Sequence, residues 1–248
     1  MRRYGLEFEF AAPCELNPLA KLLRAWRVQA RARDGGNSNG KAWELKPDKS
    51  AVPLFLYAQG WRGYELASPV LAGVQGFSAL QKYLFRLDHL RSIGKLQVPE
   101  QAGLHVHVEV KDYTWTNLAR LVKLMIEVED SIYAILPECR QANGYCRGIK
   151  HNPTYRAISL MRGEAQEENI KHLVQRLTEN RLEDRYFGLN LTDYTRNRTV
   201  EFRYGASTFD YSKAESWINT LLGIVEAGTL SETRALATAR EALETAAV

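Results

Sequence analysis

The sequence predicts an α+β protein built around a mainly antiparallel sheet, and three observations carry that prediction. Short runs of alternating polar and apolar residues recur at irregular intervals, as half-buried strands require. Between them lie segments with apolar residues at helical spacing, the longest being "WTNLARLVKLMIEVEDSIYAILP". Two strand runs, "YFGLNLTDY" and "RTVEFRYG", sit close together like a hairpin, which is not regular βαβ winding. A chain of 248 residues with 45% hydrophobic content has material for a large core. No internal repeat or composition break divides it, so one domain over residues 1–248 is expected, with a C-terminal helix at about 231–246 appended.

The elements follow in order. "YGLEFEF" (4–10) opens as a strand, because Leu6, Phe8 and Phe10 alternate with Glu7 and Glu9. In "LNPLAKLLRAWRVQARARDGG", Asn17 is the expected helix N-cap, Pro18 suits the first helical position, and Gly35–Gly36 stop the helix. "GGNSNG" is loop by composition, "KAWELKP" a short strand, and "GYELASP" a strand up to Pro69. A helix is expected from Gly73 to Leu90, then a strand in "GLHVHVEV" (103–110). The long helix after it buries Leu118, Leu121, Val122, Met125, Val128 and Ile132 on one face. Residues 138–164 read as irregular, and 166–179 as a helix. The hairpin and two helices close the chain, one over 211–227 ending at Gly228 and an Ala-rich one after Ser231.

Charge excludes little. A net charge of +4 on 33 basic and 29 acidic residues describes a mixed surface rather than a nucleic-acid binder. Cys14, Cys139 and Cys146 cannot all pair, and Arg2–Arg3 lead straight into a strand without a signal-peptide pattern, so a reducing cytoplasm is expected. Apolar runs such as "VPLFLYA" fall far short of the roughly 20 residues that span a bilayer, so no membrane insertion is expected.

The strands carry the chemistry. Glu7 and Glu9 share one face of the first strand, and His105, His107 and Glu109 share one face of "LHVHVEV". Glu201 and Arg203 lie together opposite Val200, Phe202 and Tyr204, while Glu65 points away from Tyr64 and Leu66. A solvated face draws on Lys, Thr, Ser and Gln; these faces concentrate Glu and His. Clustered carboxylates need counter-charge, and an oxygen-rich set with one or two imidazoles suits Mg²⁺ or Mn²⁺ better than Zn²⁺. The chain has no GxxxxGK[ST] and no GxGxxG, consistent with phosphates held by metals.

"YGLEFEF", "YELASPVL", "GLHVHVEV", "PECRQANGYC" and "RTVEFRYGASTFD", in that order and at those separations, resemble the putative amidoligase family. Its members are carboxylate–amine ligases related to glutamine synthetase and glutamate–cysteine ligase. The resemblance runs from about Tyr4 to about Ala227, with one departure, Asp48-Lys49-Ser50 in place of D-G-S. It implies a curved, mainly antiparallel, glutamine-synthetase-like sheet with two or more Mg²⁺ (or Mn²⁺) ions on its concave face and helices on the convex side. Glu7, His105 and Glu201 would hold one metal, and Glu9 and Glu65 another. Arg203 would contact phosphate oxygens of the co-substrate ATP, and His107 would be a ligand or stand behind one. Lys46, Arg198 and Asp48 are further nucleotide-site candidates, with Ser50 beside Asp48. Arg140, Asn143 and Tyr145 match the family pattern and would order a loop over the substrate site, or simply end a helix at Asn143-Gly144. Cys139 and Cys146 read as buried small side chains, and His89, His151 and His172 as residues without a role in the chemistry.

The implied reaction joins a carboxylate to an amine, one of them a small molecule or a peptide side chain, through an acyl phosphate. Glu201, Arg203 and His107 would be its catalytic core. Three other readings stay open. "WELKPD" has the E-x-K spacing of a metal-dependent nuclease, with Glu44, Lys46 and an upstream Asp34. His105 and His107 suit a zinc hydrolase, although H-E-x-x-H is missing. A catalytically inactive ligase fold serving as a binding module is the third. Oligomeric state is not legible.

Overall fold

The computed structural model describes residues 2–34, 40–141, 143–179 and 186–246. The expected stop at Gly35–Gly36 and most of "GGNSNG" lie outside those residues. The described elements, in order, are β1 (Arg3–Ala12), α1 (Leu16–Ala25), β2 (Ala30–Ala32), β3 (Trp43–Pro47), α2 (Leu54–Ala58), β4 (Arg62–Ala67), β5 (Leu71–Ala72) and α3 (Gly73–Ser92). Then come β6 (Gly103–Glu109), α4 (Trp115–Ile135), α5 (Glu138–Gln141), α6 (Pro153–Leu160), α7 (Glu167–Glu179), β7 (Leu189–Asn190), α8 (Tyr194–Asn197), β8 (Thr199–Ala206), α9 (Tyr211–Ala227) and α10 (Glu232–Ala246). The fold is α+β with mostly antiparallel strands, as the alternation predicts. Among the described residues, no helix is long and apolar enough to cross a membrane.

The chain divides into two compact units. The first comprises Arg3–Val106 and Gly205–Glu215; the second comprises His107–Tyr204 and Ser216–Val248, with Arg2. The chain therefore passes between units inside β6, returns inside β8 and passes again inside α9, between Glu215 and Ser216.

In the first unit the strand order is β2-β3-β4-β1-β6, with β5 also on β1. β1 pairs antiparallel with β4, and β4 with β3, while β2 and β3 are parallel. Tyr4, Leu6, Phe8, Phe10, Leu45, Tyr64 and Leu66 form the buried apolar side. α3 covers it with a stripe of Leu80, Leu84, Leu87 and Leu90, tied to the strands by the Tyr4–Phe77 contact and the stacked Trp43–Tyr83 pair. Complete burial of each Phe and Leu is worth about 2 kcal/mol.

The opposite side of these strands is covered at one end. Ala11, Val52 and Leu56 form a small cluster with Trp61 packed on it. Gly63 makes this possible: a Cβ there would sit 2.0 Å from the Asp48 carbonyl oxygen. The Asp48–Val52 turn thus lies directly on the strand, capped by the Asp48 carboxylate, which accepts from the Ser50 amide at 2.8 Å and its hydroxyl at 2.6 Å.

In the second unit the order is β6-β8-β7. α4 is its central helix, started by Thr114, whose hydroxyl accepts from the Asn117 amide at 3.1 Å. The six apolar residues predicted for its inner face are all buried, and α6, α7 and α10 pack on α4.

Three expectations are corrected. The first helix starts at Leu16, with Glu15 rather than Asn17 at its N-cap, and ends at Ala25, because Arg27 adopts φ 58° and the Val28 amide donates back to the Leu23 carbonyl at 2.8 Å. That closure buries Val28 and frees Ala30–Ala32 to pair with Trp43–Leu45 as β2. The irregular stretch 138–164 contains helices α5 and α6, the latter capped by Asn152, which accepts from the Thr154 and Tyr155 amides. Asn152-Pro153 was the legible signal for that cap. The "YFGLNLTDY" strand shrinks to Leu189–Asn190, because the Asn190 side chain accepts from the Thr192 amide at 2.9 Å and turns the chain into α8.

Candidate functional site

Register decides what the first unit presents. Glu9 pairs with Glu65, and Glu65 with Lys46, so these three side chains form one row. Glu7 pairs with Ala67, and Ala67 with Glu44, forming the next. The rows share a face because paired residues in antiparallel strands point the same way. His105 joins them from β6, its Nδ1 lying 3.1 Å from a Glu7 oxygen and its Nε2 3.3 Å from a Glu9 oxygen. The other Glu9 oxygen accepts from the Gly103 amide at 2.6 Å.

A neutral imidazole carries one N–H, so it can donate to only one of two flanking carboxylates. The face also holds four carboxylates, Glu7, Glu9, Glu44 and Glu65. Against them stand Lys46, 3.1 Å from Glu65, and Arg33, 3.2 Å from Glu44. Burial, with Glu7 as the next cause, pushes the Glu65 carboxyl up to about 7; Lys46 and His105 oppose the shift. Hard oxygen donors with one imidazole and no sulfur fit Mg²⁺ or Mn²⁺.

The direction of that shift gives a test. From the ordinary 4.5 up to about 7, the folded chain keeps a proton on Glu65 that the unfolded chain has released. Stability of the metal-free protein should therefore fall as pH rises through this window, by on the order of 3 kcal/mol from this group. Urea unfolding at pH 5 and pH 8 in chelator measures the fall, and Glu65→Gln should remove most of it.

The second unit assembles a separate polar set. Arg203 Nη1 donates to Glu201 Oε1 at 2.6 Å, and Asn190 donates to Glu201 Oε2 at 2.6 Å. His107 Nε2 lies 4.0 Å from Glu201 Oε1. Glu201 and Arg203 are buried, and the Arg203 Nε donates to the Tyr145 carbonyl at 3.2 Å. Arg140 is buried beneath β8, donating to the Arg203 carbonyl at 2.6 Å and the Tyr204 carbonyl at 3.3 Å. Glu129 fixes the same region, accepting from the Ile149 and Lys150 amides at 2.8 and 2.9 Å and from the Tyr204 hydroxyl at 2.7 Å.

Other expected residues fall as follows. Arg198 donates to the Tyr113 carbonyl at 2.7 Å and stacks over the Tyr194 ring. Asp48 caps its own turn. Asn143 accepts from the Tyr145 amide at 2.8 Å, an Asx turn. Cys146 is buried, but Cys139 is only half-buried; neither they nor Cys14 form a disulfide. His89, His151 and His172 are exposed, His89 packing on Trp26.

Sequence reasoning missed Glu44 as part of the acidic face, and Asn190 and Glu129 as braces. Glu129 was findable, lying four residues after Met125 on the buried face of α4. Glu44 and Asn190 needed the strand register.

Fold and side chains define a class: an α+β protein whose mainly antiparallel strands, in the first unit, line one face with acids and a histidine. Within that class, the chain belongs to the family described as putative amidoligase enzyme, whose model matches residues 1–225. That description is of a ligase-type enzyme. No curated protein matches the chain.

Proposed function

We propose that the protein is an ATP-dependent carboxylate–amine ligase that forms an amide or isopeptide bond through an acyl phosphate. The observation that supports this most is the crowding of Glu7, Glu9 and Glu65 around one imidazole, with Glu65 destabilised as an anion. Glu7, Glu9, Glu65 and His105 are the proposed holders of Mg²⁺ or Mn²⁺ on the first unit, and Glu201 the acidic ligand on the second. The bound ions would neutralise phosphate oxygens and let two anions approach.

The chain's own residues then have defined work. The substrate carboxylate attacks the γ-phosphorus and ADP leaves; the amine attacks the acyl carbon, phosphate leaves, and the nitrogen gives up a proton. Arg203 is the proposed phosphate-binding cation, held by Glu201 and the Tyr145 carbonyl so that little reorganisation is needed. Lys46, Arg198 and Asp48 are secondary nucleotide-site proposals, and His107 supports Glu201. The E-x-K pair of a nuclease is already divided, Glu44 with Arg33 and Lys46 with Glu65. A glutamine-synthetase-like curvature of the sheet, the joint working of residues 1–248 as one catalytic domain, and a cytoplasmic setting belong to the same reading.

The test is ADP release from Mg²⁺-ATP over pooled carboxylates and amines, with mass spectrometry of the product. The expected product mass is acid plus amine less water, in step with ADP. Absence of any Mg²⁺-dependent ATP binding by calorimetry would overturn the reading, as would nucleic-acid cleavage without ADP release.

A further inference from the structure

The Lys46 ammonium lies 3.1 Å from a Glu65 oxygen, and both side chains are largely buried, 12% and 16% exposed. The two residues are register partners across β3 and β4, and Glu9 is the next partner in the same row. The ammonium therefore occupies, from a flexible four-carbon stem, a position against the very carboxylate that the proposed function assigns to a divalent ion. A monovalent ammonium and a divalent cation compete for the same lone pairs, and the ion with more charge and more ligands wins. The Lys46 side chain lies near the end of its strand, since β3 runs out at Pro47, and it keeps 12% of its surface exposed.

We propose that Lys46 is a tethered counter-ion that holds Glu65 in the metal-free protein, is displaced when a divalent ion binds, and is thereby delivered to an anionic ligand on the same face. This rests on the metal-binding reading above. It makes Lys46 a positioning residue that keeps the buried acid compensated between turnovers. It also orders the events, because the ammonium becomes available to a phosphate only after Glu65 has taken a metal. The cost of parting Lys46 from Glu65 is then subtracted from metal affinity.

The experiment uses the full-length metal-free chain and Mn²⁺ alone, followed by electron paramagnetic resonance of the unbound ion. Lys46→Met should tighten Mn²⁺ binding about tenfold, since the competitor is gone while the stem is kept. Lys46→Arg, which retains a cation, should remain near wild type. Lys49→Met, one exposed charge removed nearby, should change affinity less than twofold if the effect is local. In a Glu65→Gln background, Lys46→Met should have no further effect. Mg²⁺ should also shift the Lys46 ε-methylene NMR signal.

If the wild type binds Mn²⁺ and Lys46→Met binds it equally or more weakly, the inference falls while the metal site stands. If neither protein binds Mn²⁺ or Mg²⁺, both fall together. Binding by Lys46→Met alone supports both and makes the tether a complete block.

Discussion

Glu7→Gln should lower ATP turnover on the order of a thousandfold in a protein that folds as well as the wild type. The substitution keeps shape and a carbonyl oxygen for His105, 3.1 Å away, removes the negative charge and turns the other acceptor into an amide donor. Removing that charge relieves Glu65, for which Glu7 is the leading electrostatic burden after burial. The melting temperature should therefore be unchanged or higher, as happens where function has placed like charges together. Glu201→Gln should be as damaging to turnover but less neutral for folding. Both Glu201 oxygens accept, from Arg203 and from Asn190, and a glutamine amide turns one acceptor into a donor facing a donor. That should cost about 1–3 kcal/mol without unfolding the chain. ADP release with Mg²⁺-ATP, read beside circular dichroism melts, checks both variants, and wild-type turnover in the pair would sink the site.

The largest stability effect is expected at Glu129. Glu129→Ala strands three donors at once, the buried Ile149 amide and Tyr204 hydroxyl and the part-buried Lys150 amide. At roughly 1–2 kcal/mol for each orphaned donor, a loss of about 4 kcal/mol is expected in urea unfolding. Packing allows little rescue. A Cβ on Gly148 would lie 2.9 Å from the Glu129 carboxylate, and one on Gly188 would overlap the Tyr204 ring at 2.1 Å. The backbone on both sides is thus moulded to this carboxylate and this phenol. The damage should reach Arg203 as well, since the loop Glu129 holds includes Tyr145, whose carbonyl receives the Arg203 Nε. Glu129→Gln, which keeps one acceptor oxygen, should fall between.

Much of the local structure was legible because period is a local property. The alternation in "YGLEFEF" and "LHVHVEV" assigned each side chain to a face before any partner was known, and the apolar spacing after Trp115 marked the inner side of α4. What failed was local chemistry overridden by a neighbour. Arg27 leaves the helical region because Val28 gains a buried position and Ala30 gains a strand partner. Asn190 ends its strand early because its side chain prefers the Thr192 amide.

By itself, the sequence determined the α+β composition, the side of each strand that would carry Glu and His, and the family, since these follow from residue order alone. Only the tertiary structure decided which acids are neighbours. It set Glu65 beside Glu9 and Lys46, placed Glu44 in the same face, and gave Glu201 its Asn190 partner. Pairing register is fixed by the sum of packing across whole strands, and no short stretch of chain contains that sum.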